Sequence, residues 1–124
     1  MQRKIMQAVI DSNIIIDALK GIPKALSEIE SIDTPSISII TWIEVMTGAK
    51  TKHQEELFES FLKFFSVIEL DQKIAKNAYK ARQTLKLKTP DAIIYATAVT
   101  NKCILVTGNS KDFKKSDVNI RVPY

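Results

Sequence analysis

The stretch "QAVIDSNIIIDALKG", residues 7–21, decides the fold. Ala8, Val9 and Ile10 make a short apolar run of the kind a buried strand uses, and the run stops at an acid, Asp11. It resumes at once with helical character and closes at Gly21, a residue suited to the end of a helix. A strand that turns directly into a helix begins a β-α unit. The acid at the hinge is either a helix cap or part of a site, and Asp suits both uses.

Working outward, Pro23 opens a second short helix over about residues 24–31, and Thr34 and Pro35 predict a break before the strand "SISII", residues 36–40. Thr41 is the expected start of the next helix. Residues 52–65 set Phe58, Phe61, Leu62 and Phe65 in one helical stripe, widened by Leu57 and Phe64, which favours a core-facing helix over an interface. "SVIEL", residues 66–70, is a third strand, and Asp71 caps a helix that aligns Ile74, Ala78, Ala81 and Leu85. "KLKT" separates that helix from another opening at Pro90. "CILVT", residues 103–107, is a fourth strand and "NIRV" a short fifth. Strands alternating with helices predict an α/β fold, a three-layer α/β/α sandwich with a mostly parallel sheet of four to five strands, and ligands then bind at the carboxyl ends of the strands.

A chain of 124 residues supports one core, so residues 1–124 are expected to form a single domain. Hydrophobic content of 45% and charged content of 26% exclude a disordered or fibrous chain. The net charge of +4 and a pI near 9.2 suit a polyanionic partner, most simply nucleic acid, although an acidic protein or a membrane surface satisfies the same electrostatics. Cys103 is the single cysteine and borders an apolar run, which rules out a disulfide framework and points to a buried, inert thiol in a reducing cytoplasm. The basic start "MQRKIMQAVI" has too short an apolar part for a signal peptide, and no apolar run approaches the roughly 20 residues that span a bilayer. No membrane role is expected.

Three acids stand near strand ends, and each has a structural explanation of its own. Asp11 can cap the helix after it, Glu44 lies three residues after Thr41 in the pattern of a capping box, and Asp91 follows Thr89 and Pro90 where it complements a helix dipole. What caps leave unexplained is convergence: Asp11 and Glu44 both follow a strand's carboxyl end, and the polar cluster "TGNSKD", residues 107–112, follows another. Carboxylates confined together repel, which protonates one of them unless a cation compensates. Oxygen donors without a His or Cys cluster favour Mg²⁺ or Mn²⁺, since His53 stands alone on a solvated helix start. A carboxylate-held Mg²⁺ in a basic protein suits phosphodiester hydrolysis.

Together, "VIDSNIIID", "ISIITWIEVMTG", "TPDAIIYATA" and "LVTGNSKDF" resemble the PIN-domain ribonucleases, most closely the VapC-like toxins of toxin-antitoxin pairs, over nearly the whole chain. The resemblance implies a cytoplasmic, Mg²⁺-dependent endoribonuclease, with Mn²⁺ as a possible substitute, that leaves 5′ phosphate and 3′ hydroxyl ends. It also implies a cognate antitoxin and a homodimer. Asp11, Glu44 and Asp91 match the family's metal acids, Ser12 and Asn13 match its polar pair, and Thr107 matches its threonine. Where one family form has an acid, this chain has Asn109, and Gly108 replaces a frequent Arg. The acid falls instead at Asp112, which is either a further catalytic acid or a cap on the turn before Phe113. Arg82, Lys86 and Lys88 are either RNA phosphate contacts or an ordinary solvated face, and Trp42 either walls the site or packs the core. Two rivals remain: an idle scaffold that binds RNA or protein, and a phosphatase with Asp11 as nucleophile, against which Asn13 stands in place of the second acid of "DxDxT".

Overall fold

The computed structural model describes residues 5–114 and 117–124, and for Met6 the backbone alone. Its elements run β1 (Ile5–Ile10), α1 (Ser12–Leu19), α2 (Pro23–Glu30), β2 (Ile32–Ser38), α3 (Ile39–Thr47), α4 (Lys52–Leu62), β3 (Ser66–Ile68), α5 (Gln72–Leu85), α6 (Thr89–Thr100), β4 (Ile104–Val106) and β5 (Ile120–Arg121). The five strands form one sheet in the order β3-β2-β1-β4-β5, every pair parallel.

The period-2 alternation of strand side chains builds the layers. Ala8 and Ile10 of β1, with Val106 of β4, enter one core beside Ile14, Ile15, Ala25, Val45 and Leu62 of the first four helices. Val9 and Leu105 point the other way, into a second core made by Ile74, Ala78 and Ala81 of α5 and Ala92, Ile94, Ala96 and Ala98 of α6. The sheet is therefore covered on both faces, the predicted three-layer sandwich. Because β1 neighbours both β2 and β4, its carboxyl end lies where the strand order reverses, the place at which open α/β sheets bind ligands.

Several local expectations fail for identifiable reasons. Thr34 and Pro35 do not break the chain but lie within β2, which begins at Ile32. Pro35 pairs with Ala8 on one side, while β3 starts only opposite Ser36, so Pro35 has a strand neighbour on one side alone. The strand then ends early, because Ser38 accepts a hydrogen bond from Ile40 N–H and starts α3 three residues before Thr41. At α6 the N-cap is Lys88 without a side-chain bond, and Thr89 accepts from Arg82 Nη1 at 2.7 Å instead of capping. Helix α4 stops at Leu62; Phe65 is buried and Phe58 and Phe61 pack on the core, but Leu57 and Phe64 stay 54% and 77% exposed and widen nothing. Leu85 likewise leaves the buried line of α5. Trp42 packs against the first core, and Cys103 is half-buried rather than buried, its thiol pushed up by burial.

Candidate active site

Asp11 caps a helix and also bonds across to the neighbouring strand's end. Its Oδ1 accepts from Ser12 N–H at 2.7 Å as the N-cap of α1, while Oδ2 accepts from the Thr107 hydroxyl at 2.8 Å, across from β4. Asn13 locks the same corner: its Oδ1 accepts from Gly108 N–H at 2.9 Å, and its Nδ2 lies 3.4 Å from both Asp11 Oδ2 and Thr107 Oγ1. A Cβ at residue 108 would meet Asn13 Oδ1 at 3.4 Å, an ordinary contact, so the close approach of this loop to Asn13 does not by itself demand glycine. Asn13 is thus committed to the β4 loop.

Asp11 is 5% exposed, and its carboxyl is pushed up to about 6. Burial is the main cause, opposed by the bonds from Thr107 and Ser12, with the charges of Asp91 and Glu44 adding to the rise. Above pH 6 this acid carries its charge against burial and the repulsion of its neighbours, both of which a cation would relieve.

Glu44 reaches the site from α3, and the capping-box explanation does not survive. Thr41 is fully buried inside the helix, not at its cap, and Glu44 Oε1 accepts from the Ser12 hydroxyl at 2.5 Å. Ser12 Oγ also stands 3.4 Å from Thr41 Oγ1, so the residue after Asp11 ties the start of α1 to α3. Thr41 as a support beneath the site was not foreseen, since the capping pattern accounted for it. Its signal was a polar residue one helical turn before Glu44, on the same face.

Asp91, in the first turn of α6, is half-buried, and its carboxyl is raised by burial, then by Asp112 and Glu44, with Lys88 acting in the opposite direction. Asp112 is exposed and pairs reciprocally with Asn109: Asn109 Nδ2 donates to Asp112 Oδ2 at 2.8 Å, and Asp112 N–H donates to Asn109 Oδ1 at 3.2 Å. Asn109 N–H in turn donates to Thr107 Oγ1 at 3.0 Å. A chain of hydrogen bonds therefore runs from Asp11 through Thr107 and Asn109 to Asp112.

Four carboxylates from four separated segments feel one another's charge at the carboxyl edge of the sheet. Among the described residues no three acidic, His or Cys side chains are drawn together as a chelate, so the acids stand at the range of repulsion rather than of coordination. The donor set is nonetheless all oxygen, and its repulsion is of the sign a divalent cation relieves. Half-buried Asp91 has side-chain freedom to close on such an ion, whereas Asp11 is fixed by its bonds and Glu44 is held through Oε1 by Ser12. The residues fit a hard divalent cation on chemistry.

Around the acids, Arg82, Lys86 and Lys88 are all exposed. Arg82 bonds Thr89, joining α5 to the start of α6; Lys86 caps α5 with left-handed backbone at φ 59°; Lys88 lies close enough to lower the Asp91 carboxyl. His53 is exposed in the first turn of α4. No described helix is long and apolar enough to cross a membrane.

The PIN domain family model matches residues 8–119. The curated Ribonuclease VapC1 of Methanocaldococcus jannaschii is 25% identical over 120 residues, covering 93% of this chain and 85% of that protein. A structure described as a toxin-antitoxin complex from Klebsiella pneumoniae contains a chain 42% identical to this one, with a TM-score of 0.88 over 94% of this chain and 98% of the other. VapBC-1 from nontypeable Haemophilus influenzae is 25% identical at a TM-score of 0.77, covering 94% and 97% of the two chains.

Proposed function

This chain belongs to the PIN domain family, and from that premise we propose that it is a divalent-metal-dependent endoribonuclease, the toxin of a toxin-antitoxin pair. The observation that carries the reading is the buried, hydrogen-bonded Asp11, its carboxyl raised by burial and by the charges of Asp91 and Glu44, with Asp112 beyond Asp91, at the sheet's switch point. The ribonuclease relative and the 42%-identical chain of a toxin-antitoxin complex support the substrate class and the partner.

Asp11, Glu44 and Asp91 would hold the cation, Mg²⁺ or Mn²⁺, with Asp112 at the edge of the set. Such an ion, when bound, supplies Lewis-acid polarisation of a phosphate and lowers the pKa of water. The chain's own residues do the rest. Thr107 and Ser12 N–H fix both oxygens of Asp11, so the site needs no rearrangement of its central acid. Ser12 orients Glu44, and Asn13 holds the loop after β4 against the start of α1. Lys86 and Lys88, beside α6, supply positive charge for the RNA backbone, so that the acids need not attract it.

Protonated Asp11 is a poor ligand, and its carboxyl at about 6 sets the direction of the pH dependence. Metal demand should rise as pH falls through 6. The reading is tested by incubating purified protein with single-stranded RNA in Mg²⁺, in Mn²⁺ and in EDTA. Cleavage in either metal that EDTA abolishes is the expected result, whereas RNA binding without cleavage in any metal would make the chain a scaffold.

The antitoxin should use apolar surface that the fold leaves in water. Leu57 on α4 and Phe64 just after it are such groups, and Phe64 touches Phe61, whose ring packs on the core. A basic side chain from the same partner, placed among the acids, would compete with metal through charge-assisted hydrogen bonds.

A further inference from the structure

The corner between α5 and α6 and the loop after β4 border a cleft of about 210 Å³, which shares Lys86 and Asp112 with the mechanism above but whose apolar walls that mechanism does not use. Leu85 and Lys86 form one side; Asp112, Phe113, Lys114 and Asp117 form the other. Asp112 belongs both to this cleft and to the charge environment of Asp91, so the cleft adjoins the acids.

Size, wall chemistry and charge together define its occupant. A cavity of about 150 Å³ is enough for a benzene ring, so this cleft has room for one six-membered ring with its substituents. Leu85, 44% exposed, offers apolar surface that a flat ring can cover. Phe113 is buried and already stacked on Tyr95 with centroids 6.1 Å apart, which makes it a rigid floor. Of the two carboxylates, Asp117 is spent: its Oδ2 accepts from the Tyr95 hydroxyl and its Oδ1 from Asn119 N–H, both at 2.8 Å. Asp112 gives Oδ2 to Asn109, and among the described residues its Oδ1 accepts nothing. The cleft thus presents one anchored acceptor. Lys86 and Lys114 form no ion pair among the described residues and supply positive charge.

Resting on the ribonuclease reading, we propose that this cleft seats one unstacked base of the RNA next to the scissile phosphate. It selects a base with an exocyclic amine, cytosine best by size. Asp112 accepts from the cytosine N4 amine, while uracil would set its O4 acceptor against a carboxylate. The longer ring system of adenine protrudes from a one-ring cleft. Lys86 and Lys114 take the flanking phosphates, in the usual division of labour between backbone and base contacts in single-stranded RNA.

The test uses the whole protein in EDTA, with fluorescence anisotropy of octacytidylate and octauridylate. Wild type should bind octacytidylate about tenfold more tightly. Leu85→Trp, which fills the cleft from an exposed position, should reduce octacytidylate binding to the octauridylate level and leave the latter unchanged. Lys86→Gly should weaken both by one factor and lower the salt slope by about one; glycine is at ease at φ 59°, so the corner keeps its shape. Equal binding of the two oligonucleotides by wild type, or equal weakening of both by Leu85→Trp, overturns the proposal. Should Leu85→Trp fail to fold, the wild-type cleavage map in Mg²⁺ decides: cuts beside cytosine support the cleft, and cuts indifferent to base overturn it while leaving the ribonuclease reading intact. Cytosine preference in binding without any cleavage sinks the ribonuclease reading, and with it the placement beside a scissile bond.

Discussion

Replacing Asp11 with Asn should make the protein more stable at pH 7.5, although the substitution removes the central acid of the site. Asp11 is buried, and its carboxyl is pushed from 3.8 to about 6, mainly by burial. A raised acid means that the folded state binds the proton more tightly than the unfolded chain, so stability falls as pH rises between these values and the loss is complete above 6. A shift of about two units corresponds to about 3 kcal/mol. The neutral amide of Asp11→Asn escapes this loss but brings one of its own. Its oxygen must accept from Ser12 N–H, which turns its nitrogen toward Thr107 Oγ1, an atom that already accepts from Asn109 N–H. Losing the Thr107 bond costs about 1–2 kcal/mol. The net gain is about 1–2 kcal/mol at pH 7.5, or about 4–8 °C in melting temperature for a chain of this length. At acid pH the advantage disappears, and the two stability curves should cross at about pH 5. Metal-free melting of both proteins from pH 4 to 8 is the assay. A variant that melts lower than wild type at pH 7.5, or a difference that does not change with pH, would refute the reasoning.

Other outcomes follow from the same contacts. Millimolar Mg²⁺ or Mn²⁺ should raise the melting temperature of wild type by mass action and leave Asp91→Asn nearly unmoved, as a thermal shift titration would show. The metal concentration for half-maximal cleavage should rise about tenfold per pH unit below 6, because the proton and the cation compete for Asp11. Arg121→Ala strands Glu28, which is 8% exposed and held by Arg121 Nε at 2.6 Å and Nη2 at 3.0 Å; it should cost about 2–4 kcal/mol in urea unfolding, with Glu28→Gln/Arg121→Ala recovering part of it. Phe64→Ser, altering a side chain 77% exposed, should leave melting and cleavage unchanged and weaken inhibition by the antitoxin.

Local and repetitive features of the chain were legible; features set by tertiary contact were not. The alternation of Ala8, Val9 and Ile10 between the two cores is the period of a strand, and the turn from Ile10 into α1 is capped by Asp11 itself, so the first β-α unit follows from neighbours in sequence. The β2–α3 junction does not, because Thr34 and Pro35 look like a break until β1 is laid beside them. Ser38 and Thr41 are both acceptable caps by residue type, Ser the better, and the length of the ladder with β3 also favours Ser38. Charge at the strand ends pointed to Asp11 and Glu44, but Asp91 arrives from α6, whose position depends on how it packs with α5 over the sheet. The hydrogen-bonded pair of Asn109 and Asp112 was hidden for a different reason: an amide in place of an acid reads as a loss until its partner three residues on is seen to accept from it. The exposure of Leu57, Phe64 and Leu85 belongs in the same group, since helical spacing gives a face its direction but not the width of what covers it.

Glu44→Gln tests the central claim most directly. Glu44 is exposed and Gln can still accept from Ser12, so the substitution removes charge from the acid site without disturbing the fold. The measurement is single-turnover cleavage of single-stranded RNA at saturating Mg²⁺, with melting temperature recorded on the same samples. Unchanged melting with cleavage slowed about 10²- to 10³-fold is the predicted result. Cleavage at the wild-type rate by the folded variant would contradict the account.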